Sequence, residues 1–276
     1  HVEKHNLVGE MTIDGAVFLC SATYLSSREE IVLVFHDITE IRKLERIKSD
    51  FVLNVSHELR TPLTSIKGFV ETMEADGTLS EEQRHYLTII KRNTARLINV
   101  VTDLLTLSRL EEKSPVLELE PVDIRDLVER VLKIFEEQIR VKGFSVDVRA
   151  PRDLPPVMGD AFRLEQVFVN LLDNAIKYTD AGGITVEMET RGNTVVIFVA
   201  DTGPGIPSEH IDRIFERFYV VDKSRSKKLG GTGLGLSIVK HIILLHNGRI
   251  TAQSTPGKGA RFIVTLPVGD PPSFKA

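Results

Sequence analysis

One cysteine, Cys20, is all that the 276-residue chain contains. This excludes an internal disulfide framework and a structural zinc site of cysteine type, and it favours a reducing compartment. No stretch reaches the roughly 18 to 20 apolar residues needed to cross a bilayer, and no signal peptide heads the chain. Positive charge is not in excess: 35 lysines and arginines stand against 39 aspartates and glutamates, so no global basic field points to nucleic acid. Internal repeats, low-complexity tracts and a G-x-x-x-x-G-K-[ST] phosphate loop are also lacking. His1 in place of an initiator methionine, ahead of a half-formed strand pattern, suggests a piece of something longer, with upstream membrane segments left open.

What is present is ordinary for a soluble globular protein, at 42% hydrophobic and 27% charged residues. The length predicts two or three compact units. The first forty residues read as strands: "EMTI", a hairpin turn at Asp14-Gly15, "AVFLCSATYL" and "EIVLVFHDIT". Three strands make an incomplete sheet. From Ile41 the apolar spacing changes to three or four, through Leu44, Ile47, Phe51, Val55, Leu59, Leu63, Ile66, Val70 and Met73. That spacing predicts one long amphipathic helix. "DGTLSEEQ" breaks it, and Ser80 followed by Gln83 reads as a capping box opening a second helix to about Leu110. Two antiparallel helices cannot enclose a core, so a homodimer completing a four-helix bundle is predicted.

After Ser114-Pro115 strands and helices mix. The pattern predicts a strand near 116–119, a helix from Asp123 to about Lys142 stopped by Gly143, strand "FSVDV", and a helix from about Ala161 to Lys177. A hairpin of "GITVEMET" and "NTVVIFVAD" follows, then helices near 208–215 and 233–246, and a closing hairpin of "GRITAQST" and "ARFIVTLP". The expected architecture is α+β: a β-sheet remnant, a helical hairpin, and a two-layer α/β sandwich with helices on one face.

His57 lies two positions from both Val55 and Leu59. At 100° per residue it falls on the far side from the apolar stripe and is expected to face water. Thr61 shares its face, and Glu58 sits about 100° round. Pro62 orphans the carbonyl of Glu58 and predicts a bend costing ~3 kcal/mol one turn after the histidine. A neutral imidazole is nucleophilic, and a nearby carboxylate can take its proton and stabilise the cation formed on attack.

Three further clusters carry ligand chemistry. In "NLLDNAIKY" the spacing of Asn170, Asn174 and Lys177 makes a polar stripe suited to magnesium and phosphate oxygens. In "DTGPGIP" Asp201 ends a strong strand, and two glycines permit close backbone approach. "GGTGLGLSIVKHI" is a glycine loop running into a helix, whose first N–H groups bind anions.

"SHELRTPL" resembles the H-box of bacterial sensor histidine kinases, and residues 41–270 are similar to the paired dimerisation/phosphoacceptor and ATP-binding domains of that family. "HDITEIRKLE" resembles the exit of a PAS domain, and "HELRTPLTSIKGFVETM" is similar to phosphate-responsive sensors. The order of the asparagine box, "DTGPGIP", "IFERF" and the glycine box resembles the GHKL nucleotide fold. The resemblance implies a PAS-like part over 1–40, a phosphoacceptor hairpin over 41–113, a GHKL domain over 114–270 and a tail over 271–276. It implies that His57 accepts the γ-phosphoryl group of ATP, that Glu58 assists as base, and that Thr61 positions water in dephosphorylation.

By the same resemblance Asp201 accepts from the adenine amino group and Tyr178 lies beside the ring. Asn170 and Asn174 hold Mg2+ and phosphates, and Lys177 touches a phosphate. Gly231, Gly233 and Gly235 line the triphosphate, with Gly203, Gly205, Ile206, Phe215, Thr232 and Leu234 completing the nucleotide motifs. Residues 219–232, with Lys223, Arg225, Lys227 and Lys228, look like a mobile lid. Family members often place a basic residue where this chain has Val220, so Arg217 and Arg225 are both candidates for a phosphate clamp.

The implied function is ATP-dependent autophosphorylation, phosphotransfer to a response-regulator aspartate, and phosphatase activity on that regulator. The partners are a second copy and a receiver domain, with no nucleic acid and no membrane contact in this fragment. The implied place is the cytoplasmic portion of an inner-membrane sensor. GHKL ATPases generally carry a glutamate where this chain has Asn170, and an amide cannot take a proton from water. A GHKL ATPase and a phosphatase-dominant receptor are the competing readings.

Overall fold

In the computed structural model, which describes residues 6–25, 30–75, 79–111, 117–222 and 231–269, Asp14 and Gly15 have φ of 49° and 82°. Two successive positive φ values make the primed turn that matches strand twist. They join β1 (Asn6–Ile13) to β2 (Ala16–Leu25), with Ile13 opposite Ala16. β3 (Glu30–Asp37) adds antiparallel on the other side of β2. All of β3 is exposed, including Ile31, Leu33 and Phe35. These are three of the strands that the sequence predicts.

The chain divides into two compact units, His1–His57 and Glu58–Ala276. At the end of the sheet Asp37 Oδ1 accepts from the Thr39 amide at 2.9 Å and hydroxyl at 2.6 Å. These bonds hold its carboxyl below the usual carboxylate value. They open helix α1 (Thr39–Ala75), in which Pro62 is an internal residue that does not end the helix. Beside it Thr64 and Ser65 donate to the carbonyl oxygens of Arg60 and Thr61 at 2.9 and 3.2 Å, local bonds where the proline has removed a backbone donor.

In the second unit, α2 (Glu81–Leu110) opens on the expected capping box. Ser80 Oγ accepts from Gln83 N–H at 3.2 Å, and Gln83 Oε1 accepts from Ser80 N–H at 2.8 Å. Lys91 and Glu74 form an ion pair at 2.6 Å between α2 and α1. Leu59, Ile66, Phe69 and Met73 of α1, and Tyr86, Ile90 and Leu97 of α2, remain exposed. Their spacings of three, four and seven are those of a helix-packing seam.

The strand expected near 116–119 lies further on, as β4 (Glu120–Val122), and residues 117–119 are not in a strand. Ser114, Pro115 and Val116 lie outside the described residues. β4 pairs with β6 (Val157–Gly159), a strand hidden from sequence reading by the prolines before it. The single helix expected from Asp123 is two, α3 (Ile124–Ile134) and α4 (Glu136–Lys142). Phe135, at φ −99° and ψ 4°, turns its N–H to Leu132 and Lys133, and its ring is buried at 6% exposure. Core burial wins over helix continuity there. Gly143, at φ 67°, ends α4 as expected.

The main sheet has the order β5 (Ser145–Arg149), β7 (Gly183–Arg191), β8 (Thr194–Asp201), β10 (Ala260–Pro267) and β9 (Arg249–Ser254). Only β5–β7 is parallel, which makes the sheet mixed. Inward residues of β7, β8 and β10 share one core with α3, α5 (Ala161–Tyr178) and the helix Gly235–Leu245. On the other side, Phe198 is covered by Arg261 and Arg191, whose guanidinium groups lie 4.0 and 5.5 Å from its ring. Helix α6 (Ser208–Ile211) is shorter than the expected 208–215, giving way to turns. Helix α7 is the Gly235–Leu245 segment; it starts two residues later than expected because Gly233 has φ 73°.

Candidate functional site

α5 puts opposite demands on its two faces. Leu164, Val167, Phe168 and Leu171 are 0% exposed, and burying each contributes about 1.5–3 kcal/mol. The other stripe, Asn170, Asp173, Asn174, Lys177 and Tyr178, lines a cavity of about 470 Å³. That volume is within the ordinary range for a small-molecule site. The cavity is also lined by Asp201 at the end of β8, the loop Pro204–Ile206, the segment Tyr219–Asp222 and the glycine box at Gly231, Thr232, Gly233 and Gly235. The three clusters read from the sequence therefore converge on one cavity.

Each wall is tied down. Asp201 Oδ1 accepts from the amides of Gly203 at 2.8 Å and Ala260 at 3.3 Å. Burial nevertheless raises its carboxyl above the usual value, against the pull of these two bonds. The Ile206 amide donates to Ser254 Oγ at 2.8 Å, which in turn donates to the carbonyl of Gly259 at 2.6 Å. The Phe218 amide donates to the carbonyl of Gly233 at 2.8 Å. Tyr219 shares a 2.6 Å hydrogen bond with His210 Nδ1 and lies under the Arg213 guanidinium at 4.3 Å.

Acidic side chains predominate among the charged lining residues, with Asp103, Asp173, Asp201 and Asp222 all on the cavity wall. Lys177 pairs with Asp173 at 2.6 Å and is the only lysine or arginine among the described lining residues. Arg217 does not line the cavity and pairs instead with Glu111. Val220 lines it, and Arg225 lies outside the described residues with Lys223, Lys227 and Lys228. Asn170 Nδ2 donates to the carbonyl of Gln166 at 2.9 Å, and among the described residues no hydrogen bond engages Oδ1. A Cβ at Gly235 would stand 2.8 Å from that oxygen, so Gly235 leaves room for it. Asn174 stands one turn along, and neutral oxygens of this kind suit a magnesium ion that keeps waters and arrives with phosphates.

Three expected site residues do not line the cavity. Leu234 is 0% exposed in the core, because its place before α7 turns an apolar side chain inward. Phe215 meets Phe262 edge-on at 6.5 Å, and it is Phe262 that lines the cavity. Gly203 acts through its amide bond to Asp201. On α1, Glu58 and Thr61 are exposed, and the side chain of His57 lies outside the described residues.

Sequence reading missed a fourth wall. Asn99 and Asp103 of α2 line the cavity, and Thr232 Oγ1 donates to Asp103 Oδ2 at 2.7 Å. Burial raises the Asp103 carboxyl, opposed by the Thr232 bond and by Lys177, and Asp173 adds to the rise. The last turn of α2 is bound nearby: His241 Nε2 donates to the carbonyl of Leu110 at 2.8 Å, and Leu107 and Leu110 belong to the main core. No local pattern marks Asn99 or Asp103, and the hydrogen-bond partner of Asp103 stands 129 positions away.

Two family models match the chain: "His Kinase A (phospho-acceptor) domain" over residues 47–113, and "Histidine kinase-, DNA gyrase B-, and HSP90-like ATPase" over 159–270. The sensor protein kinase WalK of Staphylococcus aureus is 39% identical over 241 residues, covering 86% of this chain and 57% of that protein. Against WalK of Staphylococcus aureus strain JH9 the chain spans 39% of the length, so it spans 39% to 57% of the curated relatives it matches. Full-length ShkA in complex with AMPPNP aligns at TM-score 0.66 and 32% identity, over 80% of this chain and 47% of that one. Histidine kinase ThkA in complex with response regulator protein TrrA aligns at 0.59 and 26%, over 96% of this chain and 79% of that one. Two family models in this order, together with 31% identity to the Acinetobacter baumannii histidine kinase AdeS over 78% of this chain and 98% of that one at TM-score 0.54, show that the chain belongs to the sensor histidine kinase family.

Proposed function

We propose that this chain is the kinase core of a two-component sensor, which binds ATP in the α5 cavity and transfers the γ-phosphoryl group to His57. The observation that carries this reading is the convergence of the asparagine stripe, Asp201 and the glycine box on one cavity of about 470 Å³. The AMPPNP complex of ShkA supports a nucleotide as the occupant. In the proposed step a ring nitrogen of His57 forms a bond to Pγ while the bridging bond between Pγ and the β-phosphate oxygen breaks. ADP leaves with the electron pair, and Glu58 takes the ring proton.

Asp201 receives the adenine amino group, with Tyr178 beside the ring. Asn170 and Asn174 would hold the metal through their side-chain oxygens and the phosphates through that metal, Lys177 contacts a phosphate, and the glycine box surrounds the triphosphate. Magnesium, when bound, neutralises charge on the β- and γ-phosphate oxygens. Asn170 is an amide, so no carboxylate stands at that position to activate water, and the phosphoryl group is kept for the histidine.

The phosphoryl group then passes to a receiver-domain aspartate, in line with the ThkA–TrrA complex. Thr61 positions water for the reverse, phosphatase reaction. The exposed seam of Leu59, Ile66, Phe69, Met73, Tyr86, Ile90 and Leu97 is covered by a second copy, giving a four-helix bundle. The three-stranded sheet is the PAS remnant, and the similarity of "HELRTPLTSIKGFVETM" to phosphate-responsive sensors is the sole support for that subgroup. Among the described residues no helix is long and apolar enough to cross a membrane; a membrane-anchored full-length sensor is part of the same proposal.

Incubation with γ-labelled ATP beside Asn174→Asp tests the reading. Acid-labile protein label in the parent and its loss in the variant support it. Release of free phosphate without protein label would establish the GHKL ATPase reading instead.

A further inference from the structure

Helix α2 belongs to the phosphoacceptor hairpin, yet it forms one wall of the cavity. Its contribution there is a carboxylate. Asp103 accepts from Thr232 in the middle of the glycine box at 2.7 Å, and its carboxyl feels both Lys177 and Asp173. Asp103, Asp173, Asp201 and Asp222 line the cavity against one described cation, Lys177. Lys177 is already paired with Asp173. A ligand with a terminal phosphate brings more negative charge to this end than one without, and the α2 carboxylate opposes it across a partly dry gap.

We propose that Asp103 is a specificity-determining residue that reads the γ-phosphate: while α2 is docked, its carboxylate disfavours a nucleoside triphosphate relative to a diphosphate, and triphosphate binding in turn releases α2 from the glycine box. This rests on the reading of the cavity as the nucleotide site. The coupling is reciprocal by linkage. Release of α2 frees the ATP-binding part from that wall, whereas ADP leaves the dock in place. The Arg217–Glu111 ion pair and the His241–Leu110 bond hold the same dock from outside the cavity. Docking strength and charge reading can therefore be varied separately.

The test measures dissociation constants of Mg·AMP-PNP and Mg·ADP on the whole chain, for the parent, Asp103→Asn, Glu111→Gln and the double variant. Asn keeps an acceptor for Thr232 and removes the charge; thermal melts establish that each variant is folded. Asp103→Asn is expected to tighten Mg·AMP-PNP at least about fivefold and to change Mg·ADP less than about twofold. Glu111→Gln is expected to tighten Mg·AMP-PNP in the parent and to add nothing in the Asp103→Asn background. Equal changes for both nucleotides would reduce Asp103 to a docking contact and overturn the proposal. Weaker Mg·AMP-PNP binding in Asp103→Asn would make the carboxylate a metal-side ligand and overturn it too. If neither nucleotide binds the parent, the nucleotide reading itself fails, a result distinct from an unchanged ratio.

Discussion

The side-chain oxygen of Asn170 lies 2.8 Å from the point where a Cβ on Gly235 would stand, closer than a real Cβ tolerates. Gly235 is the first residue of α7, and alanine is a better helix former than glycine. Stability and site geometry therefore pull apart at this position. Gly235→Ala is predicted to keep or slightly raise the melting temperature while displacing Asn170 and weakening nucleotide binding at least about tenfold, equivalent to 1.4 kcal/mol. Calorimetric titration beside a thermal melt checks both halves. Unchanged affinity would remove Asn170 from the phosphate site.

His246 links stability to pH. Its Nε2 accepts from the Asp160 amide at 3.0 Å, and Nδ1 donates to the Ile242 carbonyl at 2.8 Å, which fixes the neutral tautomer. Burial lowers its pKa from the ordinary value of 6.5. Between the folded and unfolded values the unfolded chain binds the extra proton, so stability falls as pH drops below about 6.5 and levels off below the folded value. Asp201 and Asp103 have raised values and act with the opposite sign, in a window that opens upward from the ordinary carboxylate value. Urea midpoints for the parent and His246→Gln from pH 7.5 to 5.5 isolate the histidine. The gap between the two curves is predicted to narrow toward pH 5.5, and a constant gap would contradict the assignment.

Local signals in the sequence carried the elements whose causes are local. The Asp14-Gly15 turn, the Ser80–Gln83 box and the Gly143 stop each sit where residue chemistry alone decides the backbone. The alternation in β7 and the stripe on α5 were legible because one face of each is buried. Phe135 was misread because a buried ring overrode helix periodicity. β6 was missed because three residues beside prolines carry no period. At the site, the three motif clusters were readable, whereas Asp103 was not: its partner Thr232 is 129 residues away.

Pro62 sits inside α1 rather than at its end. Proline is about 3 kcal/mol less favourable than alanine in a helix interior. Pro62→Ala is predicted to raise the unfolding midpoint and to shift the balance of kinase and phosphatase rates, because it stiffens the turn that follows His57. A stabilised variant with both rates unchanged would remove any signalling role for the proline.

The exposed seam gives a prediction about assembly. Phe69 is 72% exposed and Ile90 43% in the single chain. If a second copy covers them, Phe69→Glu with Ile90→Glu places unpaired carboxylates in an apolar interface. Sedimentation equilibrium is predicted to show a dimer for the parent and a dissociation constant raised at least about tenfold for the variant. A parent that is monomeric throughout the accessible concentration range would refute the four-helix bundle.

The most direct measurement of the central claim is transfer of label from γ-labelled ATP to the chain, followed by acid and alkali treatment, for the parent and His57→Gln. The account predicts acid-labile, alkali-stable label on the parent and none on the variant, with nucleotide affinity equal in both. Label that persists on His57→Gln would contradict it.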